Sequence, residues 1–230
     1  MSLAFRISGR IMYRFTMPVI DSNMYVLTAE NSCLVVDPTV STEAERILQE
    51  SNVEKCVVLL THEHYDHISG VNWLKEKVKC EVVCSKICAQ RIRDPKKNSA
   101  AYFDALFLNR TEQIREKVQE ITKADYYCQA DVTYVGRLNF EWMGLRIEMG
   151  EAPGHSPGSQ IIRVNEKYYF TGDYLIPGEP VITRFPGGSK RKYEAVTKPY
   201  LQDIEPESLI FPGHGNPGVY SEIVGRNSGV

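Results

Sequence analysis

Apolar and polar positions in the first part of the chain follow the two-residue period of β-strands. Between Phe5 and Phe15, apolar residues alternate with serine and arginine, which predicts a half-buried strand. Residues 24–27 and 33–36 are apolar runs on either side of a polar turn, and they predict a hairpin. The run at 56–60 is apolar throughout and predicts a buried strand.

The rest of the chain mixes further short strands with helical patterns. Thr42 opens a capping-box pattern before Ile47 and Leu48, and Val71 and Leu74 are spaced as on one helix face. A further helix is predicted after residues 185–189, with Tyr193, Val196 and Thr197 on its inner side. Pro199 should end or kink this helix near Lys198. The remaining strand-like runs are residues 81–84, 132–135, 138–140, 145–149, 161–164 and 168–170. Those after residue 130 are predicted to form hairpins. This mixture indicates an α/β or α+β protein.

Residues 89–127 interrupt the alternation of strands and helices. Tyr102, Phe103, Leu106 and Phe107 form one apolar helical face, and a second follows Thr111 between densely charged positions. We interpret the segment as a helical insertion. It would cap a substrate cleft, make a subunit contact that gives a homodimer, or be ordinary outer-layer helix.

Composition limits the classes of partner. The chain has 230 residues and a formal net charge of −2, which gives no general attraction to nucleic acid or to anionic membranes. Its length fits one domain, predicted over residues 1–230. No apolar run reaches the roughly 20 residues of a membrane span. The six cysteines lack a paired metal-binding spacing, so we expect reduced thiols in a cytoplasmic protein.

Metal-ligand side chains concentrate directly after the predicted strand at 56–60. The sequence Thr61-His62-Glu63-His64-Tyr65-Asp66-His67 holds three of the five histidines of the chain. Imidazole nitrogen and carboxylate oxygen are ligands of divalent metals. The spacing places His62, His64 and Asp66 on one side of an extended turn, with His67 starting the next element, and it differs from a helical zinc motif.

Three later strand ends carry the same kinds of side chain. His155 lies in GHSPGS at 154–159, Asp173 ends TGD at 171–173, and His214 lies in GHG at 213–215. Ligand sites in layered α/β proteins collect at the carboxyl ends of strands. The sequence therefore predicts one metal site that uses all five histidines.

These four motifs, in this order, resemble those of the metallo-β-lactamase-fold hydrolases, and within them the glyoxalase II-like branch. The resemblance extends from about Asn23 to about Asn227. It implies a four-layer αββα sandwich, here with the helical insertion at 89–127. It also implies two divalent metal ions. Zinc is the expected metal, and iron or manganese suits the same ligands.

The resemblance assigns the ligands motif by motif. His62, His64 and His155 would hold one metal, and Asp66, His67 and His214 the other. Asp173 would bridge the two, so that Asp66 and Asp173 are the catalytic carboxylates. Asp37 and Ser156 would support the ligands from behind. Candidates for substrate binding are Arg184, Gly188 and Lys190.

The expected activity is hydrolysis of a small ester-type molecule, a thioester, ester or lactone, by a hydroxide shared between two metals. The chain ends 16 residues after His214, without the C-terminal domain that grips glutathione in glyoxalase II, so a glutathione thioester is not expected. Three alternatives stay open. They are a mononuclear-iron oxidoreductase similar to persulfide dioxygenases, a phosphodiesterase, and a non-catalytic metal-binding or sensor protein.

Overall fold

The computed structural model describes residues 3–226, although not the side chain of Arg226. Residues 1–2 and 227–230, the ends of the predicted domain, lie outside the described residues. Within the described range, strands form a seven-stranded sheet and a six-stranded sheet. The strands are β1 (Leu3–Ile7), β2 (Arg10–Thr16), β3 (Asn23–Ala29), β4 (Ser32–Val36), β5 (Lys55–Leu59), β6 (Lys79–Ser85), β7 (Val132–Tyr134), β8 (Arg137–Trp142), β9 (Leu145–Glu151), β10 (Gln160–Val164), β11 (Tyr168–Gly172), β12 (Leu209–Pro212) and β13 (Gly218–Val219).

Helices connect these strands and cover the sheets. They are α1 (Thr42–Glu50), α2 (Tyr65–Ile68), α3 (Val71–Lys77), α4 (Lys86–Arg91), a 3-10 helix (Ala100–Phe107), α5 (Glu112–Ile121), α6 (Lys190–Lys192), a π-helical turn (Tyr193–Thr197), α7 (Lys198–Gln202) and α8 (Tyr220–Arg226). The hydroxyl of Ser41, one residue before the predicted Thr42, accepts a hydrogen bond from the Ala44 amide and caps α1.

The N-terminal segment is a hairpin and not the single strand that alternation predicted. Strands β1 and β2 pair antiparallel, and Ser8 and Gly9 form the turn with φ values of 47° and 83°. Two consecutive positive φ angles are typical of a type I′ turn, which suits the twist of paired strands. The turn was missed, and with it a change of face: Ile11, predicted to lie inward, is 41% exposed, whereas Met12 is buried.

The seven-stranded sheet follows chain order from β1 to β7. Its β1 to β4 portion is antiparallel, whereas β4, β5, β6 and β7 run parallel. The loops that follow these parallel strands therefore meet at one edge of the sheet. The loop after β5 carries the first histidine motif.

The six-stranded sheet has the order β13-β12-β11-β10-β9-β8. Strands β8 and β9 form the predicted hairpin, and β10 pairs with β11. The prediction that β7 belongs to the same hairpins was wrong, because β7 pairs with β6 in the other sheet. Val135 and Gly136 carry the chain from one sheet to the other, and no local pattern encodes such a change.

Three apolar clusters show that the fold has four layers. One contains Val58 and Val82 of the first sheet together with Ile47 and Leu74 of the covering helices. A second lies between the sheets, where Phe170 stacks on Phe211 with ring centroids 5.1 Å apart. A third joins the second sheet to the helices after residue 189. This arrangement is the predicted αββα sandwich, and the α/β class is confirmed.

The helix after residue 189 differs in detail from the prediction. Pro199 lies in the first turn of α7, where no helical hydrogen bond to its nitrogen is needed, and the π-helical turn precedes it. The helix changes from π-helical to α-helical geometry at Lys198 and does not end there. Tyr193 and Thr197 are buried as predicted, whereas Val196 is 48% exposed.

The remaining predictions concern the insertion, the thiols and the membrane. Residues 89–127 contain the 3-10 helix and α5, so the segment is helical as expected. All six cysteines are free thiols. No helix among residues 3–226 has both the length and the apolar character required to cross a bilayer.

Candidate metal centre

The first motif lies in the loop after β5 and continues into the short helix α2. His62 and His64 are in the loop, whereas Asp66 and His67 belong to the single turn of α2. The expectation that Asp66 lies in an extended turn was therefore wrong. All four side chains are buried, with exposures of 8% or less.

The other three motifs converge on the same place from the second sheet. His155 follows β9, Asp173 follows β11 and His214 follows β12. Strands β11 and β12 run parallel, so Asp173 and His214 emerge at the same sheet edge. His155 is brought there by the tight loop between β9 and β10.

Three histidines form the first group of ligand atoms. His64 Nδ1 lies 3.1 Å from His62 Nε2 and 3.0 Å from His155 Nε2. Nitrogen ligands of a tetrahedral zinc ion are about 3.3 Å apart, because each zinc–nitrogen bond is about 2.0–2.1 Å long. With Asp173, these ligand atoms lie within 4.8 Å of one another. The group therefore has the size of a metal coordination sphere.

The second group contains Asp66, His67 and His214. Asp66 Oδ2 lies 3.4 Å from His67 Nε2 and 3.3 Å from His214 Nε2. It is adjacent to the first group, since the ring centroids of His62 and His67 are 4.2 Å apart. Two ligand sets therefore lie side by side in one pocket.

Asp173 lies between the two groups and presents one oxygen to each. Its Oδ1 is 3.2 Å from His67 Nε2 and 3.5 Å from His214 Nε2. Its Oδ2 is 3.4 Å from His155 Nε2. This is the geometry expected of a carboxylate that bridges two cations.

Two buried polar atoms in this cluster show that the residues fit metal ions. His67 Nε2 and Asp173 Oδ1 have no hydrogen-bond partner, although they lie only 3.2 Å apart. Burying a polar atom without a partner costs about 1–3 kcal/mol. Both atoms point into the cluster, where divalent cations would satisfy them.

Asp37 holds two of the histidine rings from behind. Its Oδ2 accepts a hydrogen bond of 2.9 Å from His67 Nδ1, and its oxygens also accept from the Thr61 amide and hydroxyl at 2.7 and 2.5 Å. Thr61 Oγ1 in turn lies 3.1 Å from His62 Nδ1. Such outer partners fix which ring nitrogen faces the metal. Asp37 therefore lies behind the rings of two candidate ligands, and its role in orienting them stays a prediction.

Glu63 is a functional candidate that the sequence interpretation missed. It is fully buried, and its Oε2 accepts hydrogen bonds from Ser156 Oγ at 2.7 Å and from the Gly158 amide at 3.2 Å. Its Oε1 is paired with the Arg91 guanidinium. Glu63 thereby ties the first motif to the loop that carries His155. Its place between two histidines was the one sequence signal for this role.

The protonation states divide the site. Burial alone would lower the pKa of His67 and His214, but the carboxylates of Asp66 and Asp173 raise both values, so a metal must displace a proton from these two rings. Burial holds the pKa of His62 well below its usual value and lowers that of His64 to about 3, so both rings are neutral donors. Burial alone would raise the pKa of Asp66 and Asp173, but the neighbouring histidines hold both values well below the usual range. The carboxylates are therefore charged and able to bind cations.

The remaining predicted residues divide into two sets. Ser156 supports the His155 loop through Glu63 and through Ser159 Oγ at 2.8 Å. Gly188 lies against the backbone of His155, where a Cβ atom would come within 2.9 Å of the His155 carbonyl oxygen. Arg184 and Lys190 are exposed, and neither lines the cavity beside the metal-ligand cluster. The structure thus gives no support to a substrate contact by the side chain of Arg184 or of Lys190.

The fold and the site define a metal-binding αββα protein. The family model of the metallo-beta-lactamase superfamily matches residues 17–214. The chain therefore belongs to the metallo-β-lactamase superfamily.

Comparison with individual proteins agrees with that assignment. The chain is 29% identical over 205 residues to "Probable metallo-hydrolase YqgX" of Bacillus subtilis, covering 86% of this chain and 88% of the relative. It is 29% identical over 191 residues to "Hydroxyacylglutathione hydrolase GloC" of Haemophilus influenzae, covering 81% and 82%. The crystal structure of TTHA1623 in a di-iron-bound form superposes with a TM-score of 0.71 at 20% identity, over 94% of this chain and 99% of the other.

Proposed function

We propose that the protein is a dinuclear metal-dependent hydrolase of small ester-type substrates: thioesters, esters or lactones. The observation that carries this proposal is the position of Asp173, whose two oxygens face two different groups of ligands. A single metal would need one of these groups, and the second would be left as a buried charge cluster. The named hydrolase relatives support the same reaction class.

Two divalent cations held by these residues would supply Lewis acidity and lower the pKa of a shared water toward about 7, which makes that water a nucleophile at neutral pH. The residues of the chain provide the rest. Burial keeps His62 and His64 neutral, so these two ligands leave the positive charge of the site undiminished. Asp66 and Asp173 offset part of that charge. Asp37, Thr61 and Glu63 hold the ligands in place.

The metal content and the reaction can be tested together. Purified protein would be loaded separately with Zn²⁺, Mn²⁺ or anaerobic Fe²⁺, and the bound metal counted. Each form would then be assayed on thioesters, esters, lactones and a phosphodiester. We expect about two ions per chain and hydrolysis of at least one ester-type substrate, both lost in Asp173→Ala.

The alternatives give different results in the same experiment. One tightly held iron with oxygen uptake on a persulfide would support an oxidoreductase. Hydrolysis confined to the phosphodiester would support a phosphodiesterase. Tight metal binding without turnover of any substrate would support a sensor.

A further inference from the structure

A cavity of about 670 Å³ opens directly onto the metal-ligand cluster. His64, Asp66, His155, Asp173 and His214 contribute to its lining. Cavities of about 300–1,000 Å³ bind small molecules and enclose most of their surface. A substrate whose reacting carbonyl lies at the ligands must therefore place another part in this cavity.

The walls above the ligands are apolar, and they come from two sides. The 3-10 helix Ala100–Phe107 contributes Tyr102, Leu106 and Phe107, and the loop after β11 contributes Ile176, Ile182 and Phe185. Tyr102 and Leu106 are 53% and 54% exposed. Apolar side chains around a cavity stabilise an apolar occupant by removing both surfaces from water.

The charge of the cavity lining disfavours an anionic occupant. Among the described lining residues outside the ligand set, Glu179 is the charged side chain, and neither lysine nor arginine is present. Away from the metal ligands, an anionic substrate tail would therefore meet the Glu179 carboxylate without a lysine or arginine to compensate it. An uncharged group meets no such penalty.

Tyr65 fixes the 3-10 helix side of the cavity to the metal centre. It lies between the ligands His64 and Asp66, and its ring packs against Phe103 with centroids 5.1 Å apart. Its hydroxyl donates to the Ile121 carbonyl at 3.0 Å and accepts from the Lys123 amide at 3.1 Å. The 3-10 helix therefore packs directly on the segment that carries the ligands, so its side chains form the wall that faces an occupant.

We propose that this cavity binds an uncharged apolar acyl group of an ester-type substrate, and that the 3-10 helix Ala100–Phe107 sets the length accepted. This inference rests on the proposed hydrolase function. In the reaction, the oxygen of water forms a bond to the acyl carbon and the C–S or C–O bond breaks. The leaving thiolate or alkoxide takes a proton from that water, so the products are an acid and a thiol or alcohol.

The test uses thioesters of N-acetylcysteamine, a neutral thiol, with the metal-loaded full chain. The acetyl, butanoyl, hexanoyl and decanoyl thioesters differ only in apolar length. Each buried methylene contributes about 0.8 kcal/mol, so we expect kcat/KM to rise about fourfold per methylene until the cavity is full. The same acyl series on glutathione changes only the thiol and should show the same rise of kcat/KM with acyl length.

A pair of variants locates the effect. Leu106→Asp places a charge in the cavity wall at a half-exposed position, and it should raise KM for the hexanoyl thioester at least tenfold and much more than for the acetyl thioester. Val135→Asp is the matched control, because Val135 is 71% exposed and does not line the cavity. It should leave the chain-length profile unchanged.

Each contrary result has its own meaning. Equal kcat/KM for acetyl and hexanoyl thioesters would refute this inference and leave the hydrolase function intact, as would equal effects of Leu106→Asp on both. A fastest reaction with a short acyl-glutathione would also refute it. No hydrolysis of any thioester, ester or lactone would refute the proposed function itself. A dimer that Leu106→Asp converts to a monomer, together with a flat profile, would assign these apolar walls to a subunit contact and overturn the inference.

Discussion

The carboxylate of Glu63 accepts a hydrogen bond of 2.7 Å from the hydroxyl of Ser156 and so connects the two loops that carry His62, His64 and His155. Both residues are buried, with exposures of 0% and 1%. The same carboxylate is paired with Arg91 on helix α4. Three separate elements therefore meet at one buried anion beside the candidate metal centre.

The substitution Glu63→Gln should weaken both folding and metal binding. Removing one charge of a buried pair costs about 3–5 kcal/mol, and the lower end applies here because Arg91 keeps some exposure. Loss of a partner behind the ligands typically lowers metal affinity about 10- to 100-fold. Chemical denaturation and a metal-competition titration would measure the two effects.

The control for that variant is Glu81→Gln, which changes an exposed glutamate on β6. We expect a change in unfolding free energy within about 0.5 kcal/mol and no change in metal affinity. Equal behaviour of the two variants would show that Glu63 does not position the His155 loop.

The substitution Asp37→Asn tests whether the ring of His67 is oriented from behind. Asp37 has a positive φ of 51°, which asparagine also tolerates, so the backbone should not change. The amide lacks the negative charge that faces His67 Nδ1 and Thr61. We expect about a 10- to 100-fold loss of metal affinity, measured by competition with a chelator.

The exposed residue Asp125 offers a matched change, Asp125→Asn, which should leave the affinity unaltered. If Asp37→Asn bound metal as tightly as the unmodified protein, Asp37 would have only the role of a turn-stabilising carboxylate.

Gly213 approaches the ligands so closely that no side chain fits there. A Cβ atom would lie 2.5 Å from Asp173 Oδ1 and 2.7 Å from His67 Cε1. Gly213→Ala should therefore displace one of these ligands and lower metal affinity about tenfold or more, by the same assay.

Gly150→Ala provides the comparison at a tolerant glycine. Its nearest neighbour would be Arg137 Cγ at 4.0 Å, so the new methyl group meets no close contact. This variant should bind metal normally. Normal binding by Gly213→Ala as well would mean that the ligands at this edge move without loss of function.

The sequence could predict that the candidate ligands converge because most of them combine a distinctive side-chain type with a strand end. His155, Asp173 and His214 follow β9, β11 and β12, and the ends of neighbouring strands meet in space. The apolar period was sufficient for the α/β class, whereas the four layers followed from the family resemblance of the motifs. Local patterns therefore predict most of the strands and helices and a set of candidate ligands.

What the sequence did not reveal depends on contacts between distant residues. Glu63 resembles any charged loop residue until the fold places it against Ser156, 93 positions later. Gly9 divided an alternating run without changing its period, so the β1–β2 turn was missed. The transfer of the chain between sheets at Val135 has no local signal, because strands of both sheets share the same alternation.

The division of the ligands into two groups gives a prediction about stoichiometry. His214 lies with Asp66 and His67, whereas His155 lies with His62 and His64. His214→Ala should therefore retain about one ion in the His62–His64–His155 group, because that group keeps its three nitrogens and Asp173. His155→Ala should retain about one ion in the other group. Asp173→Ala removes a ligand from both groups and should lose both ions.

Metal analysis after dialysis against a fixed free-metal buffer would count the ions bound by each variant. A loss of both ions in His214→Ala would mean that the two groups act as one inseparable site, and two ions in Asp173→Ala would show that its carboxylate does not bridge them.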